Sequence, residues 1–527
     1  MSHSLHHTDA ADTAKLLQEL DRDSKSRSLT GGYKTAMTVL FVLYSLTMIV
    51  MALVVSGATQ YTRLPVFVGM TLFVGYLKYP ASKRDALRDN YFPWYDIVLA
   101  FASLGVFFYY AIEQKRIIQM ANRIGTTQIV LGIIGILLLV ELCRRSTGIP
   151  LIVVAGLFTV YGAWWLTNNN PKTALRNLIY NLFYNLNCGI FSSPITVCAS
   201  FIVLFIILGS FLEKTGIGTF FVDLANSIAG ASVGGPAKVA VISSALEGMY
   251  SGSSVANTVG SGSITIPTMK KVGYKPEFAA AVEAAASTGG QIMPPIMGIG
   301  AFIMAEMLGV HYMEIAKSAI VPALAYYLAI FLVVDFIARK NTNNIESKGF
   351  NVQPILPRIY LLLPAIVLVY FIITGMSLMR SAAYAIAVIL VLNIINPKRA
   401  AWKDVWNAML VGCKQAASIA IPTAAVGIII GVVVNSGLAT KLSSLMMKLG
   451  SSGMFLALVL SMIGCMLLGM ALPTVAAYMI ANILFVPTLT KLGVDRLAAN
   501  MFVFYFGIFA QITPPVCLAS FTAAGIA

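Results

Sequence analysis

Two stretches of this chain set polar and helix-breaking residues inside otherwise apolar sequence: Ser251-Gly252-Ser253-Ser254-Val255-Ala256-Asn257-Thr258 and Gly469-Met470-Ala471-Leu472-Pro473-Thr474. A helix that stops and restarts at membrane depth leaves N–H and C=O groups without partners, which is tolerated only where they line a cavity or bind something. The pairs Pro294-Pro295 and Pro514-Pro515 do the same in a neighbouring helix, since each proline removes an N–H and frees an upstream carbonyl. Gly289 and Gly290 add permissive backbone before the first pair. Oxygen-rich turns of this kind suit a hard cation, and half-helix N-termini suit an anion. An amide at mid-membrane is costly when idle, so Asn257 is expected to be functional. For Ser251, Ser253, Ser261 and Ser263, close helix packing is the commoner role of serine in a membrane helix. Glu247 and Glu283 lie in apolar stretches, either as proton-linked carboxylates or as acceptors for exposed helix ends, and the sequence leaves both roles open.

The elements that must position these residues repeat. Pro267-Thr268-x-x-Lys271-x-Gly273 returns as Pro487-Thr488-x-x-Lys491-x-Gly493, 220 positions later. At the same offset and without a gap, Val255-Ala256 meets Val475-Ala476, and Gln291-Ile292-x-Pro294-Pro295 meets Gln511-Ile512-x-Pro514-Pro515. Lys270, Lys271 and Lys275 follow the first broken segment, whereas Thr490, Lys491 and Asp495 stand at the equivalent places of the second. By the preference of basic loops for the inside, the first hairpin opens inward and the second outward, as in inverted-topology repeats.

Composition fixes the solvent. The 527 residues are 58% hydrophobic and only 11% charged, against about 25% charged in soluble domains. The net charge of +15 is spread between apolar runs and reads as topology rather than nucleic-acid binding. The six cysteines show no paired spacing, and His3, His6 and His7 have no partner cluster, so neither a disulfide framework nor a metal site is indicated. Expected spans cover 35–56, 64–77, 95–112 and 127–142, with a fifth at 150–166. Amphipathic arms are expected at 172–187, and from Trp402 to Cys413. Basic loops place the N-terminus inside, although Lys115, Arg116 and Arg123 would then lie outside. Asp335 is expected to pair with Arg339 one turn later, and His311 to have a structural role in an outer loop.

The expected fold is an all-α polytopic membrane protein with inverted repeats, two re-entrant hairpins and broken helices. It divides into a cytoplasmic tail (1–34), a four-span scaffold unit (35–146) and a linking helix (147–170). The first repeat (171–339), connecting spans (340–400) and second repeat (401–527) follow.

At Glu247–Thr258 and at Ala286-Ser287-Thr288-Gly289-Gly290-Gln291-Ile292-Met293-Pro294-Pro295 the chain resembles the membrane component of tripartite ATP-independent periplasmic (TRAP) transporters, specifically fused permeases of the TAXI branch. The resemblance implies a monomeric elevator-type symporter of the inner (cytoplasmic) membrane of a bacterium or archaeon. It takes a small organic anion from a periplasmic TAXI-type binding protein: a dicarboxylate, a 2-oxo acid or an acidic amino acid. The first four spans then resemble the small membrane subunit. One sodium site would involve Ser254, Asn257, Gly290 and Met293, and a second Thr474, Gln511 and Thr513, with protons as the alternative coupling ion. Substrate would lie near Ser251, Ser253, Thr258, Pro295, Pro473 and Pro515. The second copy reaches Ala527, equivalent to Met307, while the first continues through 320–338. A further helix near 540–558 is therefore expected, and the chain is expected to be incomplete at its C-terminus.

Three other classes compete. A carrier that binds substrate directly from solution, like the sodium/dicarboxylate symporters, is opposed by the N-terminal four-span unit. A membrane enzyme is opposed by the lack of a Walker A run, an HExxH helix or a GxSxG elbow. Paired inverted hairpins suit alternating access better than an open channel.

Overall fold

The computed structural model describes residues 27, 29–53, 60–82, 85, 88–120, 123–166, 171–186, 188–340, 355–395, 402–449, 454–470, 472–514 and 516–527. The expected tail up to residue 26, Lys83, Arg84, the segments 341–354 and 396–401, and Pro515 lie outside them. The described residues are helical throughout, without a strand, and include nine helices long and apolar enough to cross a membrane. The polytopic all-α class is therefore as expected.

The chain divides into two units. One comprises the described residues of 25–204 and 409–507, the other those of 205–408 and 508–527. In the first of these, helices Gly31–Leu53, Gln60–Lys78, Trp94–Met120 and Thr126–Ser146 correspond to the four N-terminal spans. Lys115 and Arg116, expected in a loop, ride on the last turns of Trp94–Met120, and Arg116 faces Glu113 at 3.8 Å. A buried ion cluster fastens one end of this bundle. Asp96 pairs with both Arg27 and Arg145, and Glu141 pairs with Arg144 and Arg145.

The two amphipathic arms differ. The first is the helix Pro171–Ile179 plus one π turn, Tyr180–Tyr184, ending where Asn185 becomes extended. Gly189 then turns the chain at φ +80, where a Cβ would meet the Asn181 carbonyl oxygen at 2.3 Å. The second arm is no separate element, because Trp402–Ser436 is one helix of 35 residues. Met409 stands where the first copy has Gly189, and a residue with a Cβ does not readily enter the left-handed turn.

In the other unit, helix Gly235–Ser251 rises to the first break, and Ser254–Gly260 and Gly262–Lys271 lead away from it. Pro276–Gly289 and the 3₁₀ turn Gly290–Ile292 follow, then Ile299–Leu308 and the 29-residue helix Tyr312–Lys340. Their shared core is small-residue packing of Ala237, Ala240, Ala279, Ala286, Ala338, Ala519 and Ala523 around Met269 and Tyr327. Asp335 pairs with Arg339 as expected and also with Lys238, a buried lysine from the hairpin's rising helix.

The repeat extends to element bounds. Helices Ser254–Gly260 and Thr474–Lys491 start 220 residues apart, Gly262–Lys271 and Thr474–Lys491 end 220 apart, and Pro276–Gly289 matches Arg496–Phe509 at both ends. Ile217–Ala229 has its counterpart in Leu438–Leu449. Backbone hydrogen bonds recur in register: Asn257 N to Ser253 O and Ala477 N to Pro473 O are both 3.0 Å, and Tyr274 N to Met269 O and Val494 N to Leu489 O are both 3.1 Å.

Candidate functional site

The first break forms because Gly252 takes φ +64 and ends the rising helix, while Ser253, extended, caps the next one by accepting from Ala256 N at 3.4 Å. Ser251 donates to the Ser253 carbonyl at 3.5 Å. Three residues into the short helix, Asn257 points into the core and is fully buried. Its Nδ2 donates to the carbonyls of Ser244 at 2.9 Å and Ser287 at 3.3 Å, which fixes the orientation of the amide. Its Oδ1 is buried with no hydrogen-bond partner. A buried amide oxygen left unpaired costs roughly 1–3 kcal/mol, and a cation ligated there would remove that cost.

The backbone of the broken helix meets this amide. Gly248 and Gly290 touch so closely that a Cβ on Gly248 would lie 2.3 Å from the Gly290 Cα, and one on Gly290 would lie 3.2 Å from Asn257 Nδ2. Asn257 and Gly290, expected to share a site, are thus in contact. Ser254 is buried and its carbonyl accepts from Thr258 Oγ1 at 2.8 Å, which places Thr258 in the core. Met293 N donates to the Gly290 carbonyl at 3.2 Å, so the tightened turn uses one of the two lone pairs of a carbonyl expected to be freed by the proline pair. Tyr312 clamps the stretch beyond it, donating to the Pro295 carbonyl at 3.0 Å and accepting from Met297 N at 2.9 Å. Tyr326 and Tyr327 donate to the carbonyls of Ala285 and Ala286, holding the last turn before the break.

Glu283 is fully buried, and its contacts are hydroxyls. Ser244 at 2.6 Å, Ser261 at 2.5 Å and Ser287 at 3.0 Å reach Oε1, and Thr265 reaches Oε2 at 2.5 Å. The Glu247 carboxylate lies against Gly260, where a Cβ would come within 2.2 Å of Oε1.

The residues named in the second copy are distributed between the units. Pro473 and Thr474 belong to the unit with 409–507, Pro473 standing immediately before helix Thr474–Lys491. Gln511 and Thr513 belong to the other, where Gln511 O accepts from Ala519 N at 3.1 Å and Thr513 Oγ1 donates to Phe509 O at 2.7 Å. His311 is exposed, and its Nδ1 accepts from Met313 N at 3.4 Å.

Ser244, Ser287 and Gln291 were not singled out as ligands by sequence. Gln291 is buried with neither side-chain polar atom paired, in the turn beside Gly290. Its recurrence as Gln511 was the available signal. Ser244 carried none, because a serine in an apolar helix is ordinary.

A family model described as "Tripartite ATP-independent periplasmic transporter, DctM component" matches residues 134–527. The isethionate TRAP transporter permease protein DctMQ of Oleidesulfovibrio alaskensis is 24% identical over 328 residues, 61% of this chain and 51% of that protein. A C4-dicarboxylate TRAP transporter large permease, DctM of Vibrio cholerae, is 27% identical over 206 residues, 39% of this chain and 43% of its own. The sialic acid TRAP transporter permease protein SiaT of Haemophilus influenzae is 20% identical over 445 residues, 83% of this chain and 69% of that one. The chain spans about half the length of the isethionate and C4-dicarboxylate relatives it matches. With a polytopic helical fold, two broken repeats and a match over most of its length, the chain belongs to the DctM component family of tripartite ATP-independent periplasmic transporters, which are transporters and not enzymes.

Proposed function

We propose that this permease imports a small organic anion delivered by a periplasmic binding protein of the TAXI type, driven by a sodium gradient and moving by an elevator stroke of its hairpins. The observation that carries the reading is the unpaired Asn257 oxygen at a helix break, in a chain of this family. Hard oxygen atoms there fit sodium: the Asn257 amide, with Ser254, Gly290 and Met293 offering backbone carbonyls. The relatives named for isethionate, C4-dicarboxylate and sialic acid all handle organic acids, and the half-helix N-termini after both breaks favour negative charge. Ser251, Ser253 and Pro473 stand beside those N-termini. The helices before residue 134 precede the family match, and we assign them to a fused small subunit, with the N-terminus inside the inner membrane and the permease monomeric.

The test is uptake of labelled C4-dicarboxylate, 2-oxo acid and acidic amino acid panels into proteoliposomes with the cognate binding protein. Uptake should require that protein and an inward sodium gradient. Equal uptake without either would overturn the proposal.

A further inference from the structure

Glu283 poses a physical problem: a fully buried carboxyl whose hydrogen bonds come from four hydroxyls, with no lysine, arginine or histidine among those partners. Taking an ionised carboxylate out of water costs several kcal/mol unless it is paired and hydrogen-bonded. Three of the four hydroxyl residues also contact Asn257. Ser244 and Ser287 give their carbonyls to its Nδ2, and Ser261 Oγ donates to the Asn257 carbonyl at 2.9 Å. Ser244 and Ser261 further join hydroxyl to hydroxyl at 2.9 Å. The carboxyl and the amide are therefore two sides of one network.

The second copy is a control that the molecule carries within itself. At the positions of Ser244, Asn257, Ser261, Thr265, Glu283 and Ser287 it has Gly464, Ala477, Ala481, Phe485, Val503 and Gly507. The Phe485 ring fills the space over Gly464, where a Cβ would meet its Cζ at 2.2 Å, and Val503, Ala477 and Ala481 are fully buried. This backbone thus closes without a carboxyl, and the carboxyl is present in the copy that has the amide.

We propose that Glu283 is a positioning residue: through Ser244, Ser261 and Ser287 it holds the Asn257 carboxamide with its nitrogen on two carbonyls and its oxygen free for a cation. The inference rests on the sodium reading above. On this proposal the charge of Glu283 is dispensable. An amide at this position would accept from Ser244 and Ser287 on its oxygen and donate to Thr265 Oγ1, whose own proton has the Ser261 carbonyl at 3.0 Å, while the Ser261 proton stays on the Asn257 carbonyl.

The test is a sodium titration of the melting temperature of the purified full chain in detergent, against choline chloride, at several pH values. Glu283→Gln should keep the wild-type sodium half-saturation and pH profile. Glu283→Asp, which withdraws the acid from its hydroxyls, should raise the half-saturation about tenfold, the equivalent of about one lost neutral hydrogen bond. The fivefold variant S244G/S261A/T265F/E283V/S287G carries the second copy's residues at five of the six positions and should melt cooperatively without a sodium response. Loss of the response or a shifted pH profile in Glu283→Gln would overturn the proposal in favour of an ionised or titrating Glu283. A wild-type response in Glu283→Asp or in the fivefold variant would overturn it as well. No sodium response in the wild type would instead refute the sodium reading.

Discussion

The two copies of the repeat share helix bounds, turns and backbone hydrogen bonds, yet their interiors are opposite in chemistry. The first encloses Glu283, Asn257 and four hydroxyls, and the second closes on Phe485, Val503 and alanines. Polarity in the second copy lies elsewhere, in a buried set where Tyr478 and Asn482 both donate to Asn500 Oδ1. Those positions correspond to Thr258, Gly262 and Ala280 of the first. The difference teaches that the hairpin backbone does not need its polar core. The proposed cation site of the first copy has one side-chain oxygen, that of Asn257, beside backbone carbonyls, and the second copy has Ala477 in its place.

The contrast sets an order of expected effects. Asn257→Ala removes the only side-chain oxygen assigned to the first site and should raise the sodium half-saturation for uptake roughly 10- to 100-fold, the range for losing a hydrogen-bond-scale contact to a charged group. Thr474→Ala in the second copy should change it by no more than about fivefold, since one neutral contact is worth about 1 kcal/mol. A larger effect of Thr474→Ala than of Asn257→Ala would erase the distinction.

Packing effects follow. Gly248→Ala forces a Cβ onto the Gly290 backbone and should destabilise the protein by about 1–3 kcal/mol, read as a fall in denaturation midpoint. Leu468 occupies the equivalent place in the second copy, so Leu468→Ala should not relieve or mimic that clash. Ala477→Asn places the amide of the first copy among the apolar residues of the second, and its unmet polar groups should cost about 1–3 kcal/mol without creating a new sodium response. The smallest change is Tyr327→Phe, which removes one hydrogen bond to the Ala286 carbonyl and should cost about 1 kcal/mol.

Much of this was legible in the sequence. The breaks at Gly252 and Pro473, the repeat offset and the pairing of Asp335 with Arg339 follow from residue types and local spacing. The contact of Asn257 with Gly290, 33 residues away, was expected from the family resemblance alone. The continuity of the Trp402–Ser436 helix was not legible because amphipathic periodicity reports a face and not an end. Lys238 against Asp335 and the hydroxyl ring around Glu283 were out of reach, since both depend on contacts between helices distant in sequence.

The most direct test of the central claim, that the Asn257 oxygen holds a driving cation, is the melting temperature of the purified protein in sodium chloride against choline chloride, for wild type and Asn257→Ala. The account requires a saturable sodium-specific rise in the wild type and its loss in the variant. An equal rise in both, or no rise in the wild type, would contradict it.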